Sequence, residues 1–194
     1  EIIADGGLSM PLVLTIPAKS QGRGKILTET PISSFSKKNN LFIETIGSGR
    51  HVVDSLKERI SNLDYLIVAS FGYILNETIL SLPKHGCINV HPSLLPKWRG
   101  AAPIQRSIEA GDKVTGVSIM KMAINLDAGP VWSVVEKAID KNDTYADLEA
   151  KLAKVSLQML RRFLKTPYDK ITYNPQNERN ATYAKKIIPT ELKI

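Results

Sequence analysis

The chain has 194 residues, of which 43% are hydrophobic, enough for one α/β domain with a buried core. No apolar run is long enough to span a bilayer, and the single cysteine, Cys87, excludes an internal disulfide and a cysteine-based metal cluster. The net charge of +7 favours a polyanionic partner such as nucleic acid, but it is equally compatible with a simple role in solubility.

The first half of the chain alternates short apolar runs with polar segments. Strands are predicted at PLVLTIP (11–17), LFIETI (41–46) and YLIVAS (65–70), the last apolar on both faces as in a covered parallel strand. The segment AKSQGRGKIL after Pro17 is predicted to be a loop rich in glycine and basic residues. Helices are predicted at HVVDSLKERISNL (51–63), whose Leu56, Ile60 and Leu63 share one face, and in a short piece at 76–82.

The second half continues the alternation. GCINVH (86–91), TGVSIMKM (115–122) and GPVWSVVEKAI (129–139) are predicted strands, the last two joined by the turn NLDAG. AAPIQRSIEAG (101–111) is a predicted helix, with Pro103 in its first turn and Gly111 just after its end. Asp143 is predicted to cap a long helix whose apolar stripe comprises Leu148, Leu152, Val155, Met159 and Phe163. Alternating strands and helices predict an α/β fold with a doubly wound, mostly parallel, Rossmann-like sheet.

Two polar residues interrupt the apolar run INVH, and they suggest a site. Because side chains alternate along a strand, Asn89 and His91 point to the same face. Ligands of open α/β sheets bind at the carboxyl ends of the strands. The predicted strand GCINVH ends at His91, so both side chains would lie at that edge of the sheet. Pro92 and Pro96 restrict the backbone angles of the loop that follows, so that this loop is expected to have a defined conformation. A histidine at a strand end is also common as a purely structural residue, and that alternative remains open.

Asp127 in the NLDAG turn is the third candidate. Gly129 can supply a positive φ angle in this turn, and Asp127 could simply bond to its own turn backbone. If the turn folds over the same edge of the sheet as His91, the Asp127 carboxylate could instead orient His91. An Asn, a His and an Asp in one cleft would handle protons and stabilise an oxyanion, which suits direct acyl transfer between two bound substrates.

The segment INVHPSLLPKWRGAAPIQRSIEAGDKVTGVSIMKMAINLDAGPV (88–131) resembles the folate-dependent formyltransferases, with DYLIVASFGYIL before it and DTYADLEAKL after it. Within that family, RGAAPIQ (99–105) and the basic segment PAKSQGRGKIL (17–27) resemble the methionyl-tRNA formyltransferases. The resemblance implies transfer of a formyl group from 10-formyltetrahydrofolate to the α-amino group of methionyl initiator tRNA, in translation initiation. It implies no metal, and the enzyme is expected to be a monomer in the bacterial cytoplasm or an organellar matrix.

The resemblance also assigns residue roles. The family's catalytic Asn, His and Asp fall on Asn89, His91 and Asp127. The folate-contacting segment falls on Ser93, Leu94, Leu95 and Pro96, and the pterin pocket would be lined by Phe71, Gly72, Tyr73, Ile74 and Leu75. Arg23 and Lys25 take the place of tRNA-facing residues. Without the resemblance, the simpler interpretation of these two residues is a solvated basic loop.

The resemblance further predicts a catalytic domain at 1–168, with its first strand missing or partly replaced by EIIAD. Residues 169–194 are predicted to be a linker toward an absent C-terminal β-barrel domain. Two alternatives remain open. One is a formyltransferase acting on another amine, such as glycinamide ribonucleotide or an amino-sugar nucleotide, and the other is a truncated remnant without catalytic activity.

Overall fold

The computed structural model describes residues 8–21, 24, 26–47 and 62–192. The predicted helix at 51–63 and the segment EIIAD lie largely outside these residues. The described residues fall into two compact units, one drawn from Glu1–Leu63 and Phe71–Lys84 and the other from Asp64–Ser70 and His85–Ile194. In this described part of the chain, no helix is both long enough and apolar enough to cross a membrane.

The described residues of the first unit form two strand pairs and two helices. The apolar runs predicted the strands β1 (Val13–Thr15) and β4 (Ile43–Thr45), which pair in parallel. Strands β2 (Lys19–Gln21) and β3 (Ile26–Thr28) form an antiparallel pair. The prediction of a loop throughout 18–27 was therefore wrong at its flanks, because their polar and exposed residues carry no apolar alternation.

The two helices described in this unit begin at side-chain caps. Helix α1 (Pro31–Lys38) has Thr30 as its N-cap, and the Thr30 hydroxyl accepts a hydrogen bond from the Ser33 amide. Helix α1 was not predicted from the sequence. Helix α2 (Glu77–Leu80) was predicted, and it begins at the Asn76 cap.

The second unit is built on a four-stranded sheet with the order β5-β6-β8-β9. Its strands are β5 (Leu66–Val68), β6 (Cys87–His91), β8 (Val114–Lys121) and β9 (Val131–Ala138). Strands β5 and β6 are parallel, whereas β8 is antiparallel to both β6 and β9. All five residues of β6 are buried, and this strand lies between β5 and β8, with Ile88 and Val90 in the core beneath the long C-terminal helix.

Two helices of the second unit match their predicted positions. Helix α3 (Pro103–Glu109) begins at Pro103, and Gly111 follows it with φ +68°. Helix α4 (Tyr145–Lys165) buries Leu148, Leu152, Met159 and Phe163 in a core with Ile88, Val117 and Ile119 of the sheet.

The predicted cap of α4 was wrong by one residue. Thr144, rather than Asp143, is the N-cap, and it forms a capping box with Asp147. Asp143 instead pairs with Lys151 through its carboxylate. A threonine followed three residues later by an acidic residue satisfies two backbone donors reciprocally, which a lone aspartate does not.

The segment after α4 folds back onto the sheet unit. Asn174 forms a two-way backbone bridge with Val131, at 2.8 Å in each direction. Strand β10 (Tyr183–Ala184) pairs in parallel with β7 (Arg99–Gly100). The Thr182 carbonyl also accepts a 2.9 Å bond from the Arg99 amide. Whether this segment leads into another domain stays a prediction.

Candidate active site

Strand β6 carries the first two candidate residues. Asn89 and His91 are two positions apart on one extended strand, and so they face the same side of the sheet. Asn89 stands opposite Met120 and His91 opposite Ser118 on the neighbouring strand β8. Both side chains are buried, with His91 4% exposed.

Asp127 lies in the turn between β8 and β9 and reaches the same place. Its Oδ1 accepts a hydrogen bond from Asn89 Nδ2 at 3.3 Å, and its Oδ2 lies 3.8 Å from His91 Nδ1. Oδ2 also accepts a 2.8 Å hydrogen bond from the Gly100 backbone amide. The structure thus brings together the three side chains that the sequence singled out.

The backbone conformation of the turn that carries Asp127 differs from the predicted one. Asp127 itself adopts the left-handed conformation, with φ +48°. Gly129 does not have a positive φ angle, so the prediction that it could supply one was wrong. Gly129 is needed for space, because a Cβ atom there would lie 1.9 Å from the Lys121 carbonyl oxygen. Aspartate is one of the few residues with a side chain that visits the left-handed region.

The second nitrogen of His91 faces the loop after β6. His91 Nε2 lies 2.9 Å from the Trp98 carbonyl oxygen, to which it donates when it carries a proton. Trp98 has φ +62°, and its indole Nε1 donates to Asp112 at 2.8 Å. Both nitrogens of the His91 ring therefore face oxygen atoms, which fixes the orientation of the ring.

The predicted folate-contacting segment follows β6 and is held by hydrogen bonds to neighbouring residues. Ser93 is fully buried, and its hydroxyl donates to the Lys97 carbonyl at 2.6 Å. The Ser118 hydroxyl donates to the Ser93 carbonyl and accepts from the Leu95 amide. Since Ser93 and Leu95 point inward, Leu94 and Pro96, which are half-buried, present the accessible side chains of this segment.

The predicted pterin-pocket residues are not in this unit. Phe71, Gly72, Tyr73, Ile74 and Leu75 belong to the first unit, where the Phe71 and Tyr73 rings meet edge to face and Ile74 is 87% exposed. Arg23 and Lys25 lie outside the described residues. The binding roles of these seven residues stay predictions.

Sequence reasoning missed a group of residues that surround Asp127. Gln176 Nε2 donates to the carbonyls of Asp127 and Gly129, at 2.8 and 2.7 Å. Arg99, 1% exposed, donates to Gln176 and to Glu178. The polar composition of 169–194 predicted a linker, and no periodicity indicated that Gln176 faces inward. The one available signal was Arg99, a charged residue between two apolar runs.

The charged groups nearby are held in their ionised forms. The hydrogen bond to Glu178 raises the pKa of Arg99, and the same contact lowers the pKa of Glu178. Burial raises the pKa of Cys87, on the same strand as Asn89, to about 12, so this thiol is neutral near pH 7 and is not a nucleophile there. Among the described residues, no group of three or more His, Cys, Asp or Glu side chains could hold a metal ion.

Comparison with known proteins assigns the family. The family model described as "Formyl transferase" matches residues 4–164. The chain is 40% identical over 195 residues to the methionyl-tRNA formyltransferase of Caulobacter vibrioides, and 43% identical over 188 residues to that of Thermotoga neapolitana. These alignments cover 100% and 96% of the chain but 63% and 60% of the relatives, so the chain spans less than two thirds of their length.

Solved structures agree on the fold. A phosphoribosylglycinamide formyltransferase from Bacillus halodurans superposes with a TM-score of 0.62 at 24% identity, covering 80% of this chain and 96% of that one. A 4-N formyltransferase from Francisella tularensis gives a TM-score of 0.65 at 22% identity, covering 78% and 60%. These likenesses confirm the predicted α/β, Rossmann-like fold class. The family model, which covers most of the chain, establishes that this chain belongs to the formyl transferase family.

Proposed function

We propose that the protein carrying this chain transfers a formyl group from 10-formyltetrahydrofolate to the α-amino group of methionyl initiator tRNA. The observation that carries the proposal is the meeting of Asn89, His91 and Asp127 in one buried cluster, with distances of 3.3 and 3.8 Å to the carboxylate. The choice of acceptor is supported by the curated relatives named methionyl-tRNA formyltransferase. Their bacterial sources support a cytoplasmic location.

The reaction needs no covalent enzyme intermediate. The amino nitrogen attacks the formyl carbon, a tetrahedral oxyanion forms, and the bond from that carbon to N10 of the folate breaks. An α-amino group has a pKa of about 7.7–8.0, so roughly a tenth of the nucleophile is already neutral near pH 7, and deprotonation is not the difficult step. The demands on the protein are therefore to hold the two substrates together, to stabilise the oxyanion and to move one proton.

Each residue of the cluster has a role in this scheme. The Asn89 side-chain amide donates one N–H to Asp127, and its second N–H donates to the oxyanion. His91, held between Trp98 and Asp127, adds positive charge beside the oxyanion when it is protonated. Asp127 accepts the proton that the attacking amine loses, and this proton passes to the leaving N10, directly or through water.

A formylation assay tests the proposal. Purified protein, 10-formyltetrahydrofolate and methionyl initiator tRNA should yield formyl-methionyl-tRNA and tetrahydrofolate. His91→Ala should lower kcat by about 10²–10³, the usual cost of losing one well-placed electrostatic contribution to an oxyanion. His85→Ala is the matched control, since His85 stacks on Tyr168 and lies before β6, at the end opposite to His91.

Equal activity of the wild-type protein and His91→Ala would contradict the proposed site. Replacing the tRNA by glycinamide ribonucleotide or an amino-sugar nucleotide tests the alternative acceptors, and consumption of one of these amines with the tRNA unchanged would contradict the proposed substrate. A folded wild-type protein that formylates none of these acceptors would support the alternative hypothesis that the chain is a remnant without catalytic activity. Cooperative thermal unfolding establishes that the protein is folded.

A further inference from the structure

The conformation of Asp127 requires support from outside its own turn. Its φ of +48° places a residue with a Cβ atom in the left-handed region, at a cost of about 1–2 kcal/mol. The turn supplies one weak internal bond, from the Ala128 amide to the Asn125 carbonyl at 3.2 Å. The carbonyls of Asp127 and Gly129 point to Gln176, whose Nε2 donates to both, at 2.8 and 2.7 Å.

The orientation of the Gln176 amide is determined by its other end. Gln176 Oε1 accepts hydrogen bonds from Arg99 Nε at 3.1 Å and from Arg99 Nη2 at 2.9 Å. A guanidinium group only donates, and a carbonyl oxygen only accepts. The amide therefore satisfies both sets of partners in one orientation, with its oxygen toward Arg99 and its NH₂ group toward the turn.

Arg99 is itself fixed in place. Its guanidinium is 1% exposed and makes two parallel hydrogen bonds to the Glu178 carboxylate, at 2.9 and 2.8 Å. The next residue, Gly100, donates its amide to Asp127 Oδ2, and it pairs with Ala184 in the β7–β10 ladder. The main chain and the carboxylate of Asp127 are thus both held by groups that depend on the segment 174–184.

We propose that Gln176 is a positioning residue for Asp127, through which the segment 174–184 sets the place of the carboxylate beside Asn89 and His91. This inference rests on the proposed function and assigns the segment a catalytic consequence. Gln176 acts on the proton-handling group rather than on either substrate. Its loss should therefore lower kcat while the KM for the folate donor stays nearly unchanged.

Gln176→Glu isolates the relevant half of the amide. The carboxylate still accepts from Arg99, but it places an oxygen instead of an NH₂ group against the carbonyls of Asp127 and Gly129. In the protein that carries this chain, kcat should fall about 10- to 100-fold, the range for a catalytic group displaced by about 1 Å. Gln158→Glu makes the same chemical change at an exposed position of α4 and should leave kcat unchanged.

Combining Gln176→Glu with Asp127→Ala distinguishes positioning from general damage. If Gln176 acts through Asp127, adding Gln176→Glu to Asp127→Ala should lower the single-turnover rate no further. The same fold loss in both backgrounds, or a kcat for Gln176→Glu equal to that of the wild-type protein, would overturn the inference. A wild-type protein without formylation activity would instead overturn the proposed function, so the two failures are distinguishable.

Discussion

Gly129 lies where the turn carrying Asp127 passes close to the end of strand β8. A Cβ atom there would lie 1.9 Å from the Lys121 carbonyl oxygen and 3.2 Å from the Ala123 amide nitrogen. These are backbone atoms, which cannot move away as the end of a flexible side chain can. Any side chain at 129 must therefore displace the turn.

Gly129→Ala should lower both activity and stability. We expect a loss of about 1–3 kcal/mol in the free energy of unfolding, as for other overpacked positions, and at least a tenfold lower kcat because Asp127 moves with the turn. Urea unfolding and the formylation assay measure the two effects. Gly111→Ala is the control: φ there is +68° with open space around it, so it should lose stability through strain but keep its activity. Full activity in Gly129→Ala would contradict the close packing.

The two halves of the site differ in how far the sequence reveals them. Asn89 and His91 could be paired from the sequence because a strand alternates with period two, and polar residues in an apolar strand are conspicuous. The φ angle of Asp127 could not, since it depends on Gln176, which lies 49 residues away along the chain. Sequence patterns report local periodicity, and a hydrogen bond between distant loops leaves no periodic trace.

At the level of elements, the stripe on helix α4 was predictable because it repeats over the length of the helix. Leu148, Leu152, Met159 and Phe163 are all buried, as their spacing indicated. Strands β7 and β10 could not be predicted, because two residues each are too few for any pattern. Helix α1 could not be predicted either, because its Ile32 and Phe35 are exposed and do not mark a buried face.

Two leucines of α4 give a matched test of that stripe. Leu152 is 1% exposed in the core, whereas Leu157 is 37% exposed on the same helix. Leu152→Ala should cost about 2–5 kcal/mol of unfolding free energy, through lost burial and the cavity left behind. Leu157→Ala should cost less than about 1 kcal/mol. Chemical denaturation of both variants measures the difference, and equal costs would contradict the packing of α4 against the sheet.

The ion pair between Arg99 and Glu178 gives the C-terminal segment a dependence on pH. The hydrogen bond to Arg99 lowers the pKa of Glu178 in the folded state. The contribution of the pair is therefore complete above the ordinary glutamate pKa of about 4.3, and it is lost as the pH falls through the lowered folded value.

Glu178→Gln should remove this contribution. The difference in unfolding free energy between the wild-type protein and this variant should be constant near neutral pH and shrink as the pH falls below about 4. Urea unfolding across that range measures it. Glu136→Gln, at an exposed position of β9, controls for the loss of one charge. A difference that grows on acidification would have the wrong sign for a lowered pKa.

At the scale of the whole molecule, the net charge of +7 agrees with the proposed tRNA substrate but does not locate its binding surface. The resemblance assigns part of that surface to Arg23 and Lys25. Phosphate contacts release counterions, so their loss weakens binding and reduces its dependence on salt. The net charge is compatible with a polyanionic partner, and single residues must be tested to find where that partner binds.

The double variant Arg23→Ala/Lys25→Ala should raise the KM for methionyl initiator tRNA by about tenfold and reduce the salt dependence of binding, while the KM for the folate donor stays the same. Lys141→Ala/Lys154→Ala removes the same charge at exposed positions of the second unit. Steady-state kinetics at two salt concentrations separates the variants. An equal rise in KM for both would indicate general charge attraction rather than a specific loop.

The hydrogen bond from Gly100 to Asp127 also gives the site its own spectroscopic reporter. A backbone amide that donates to a carboxylate at 2.8 Å is strongly deshielded, so the Gly100 proton should resonate downfield of ordinary glycine amides in a ¹H–¹⁵N NMR spectrum. Asp127→Asn should move this resonance upfield without unfolding the chain. One NMR signal can therefore follow the state of the carboxylate in the absence of folate and tRNA, and report directly how each substrate changes it on binding.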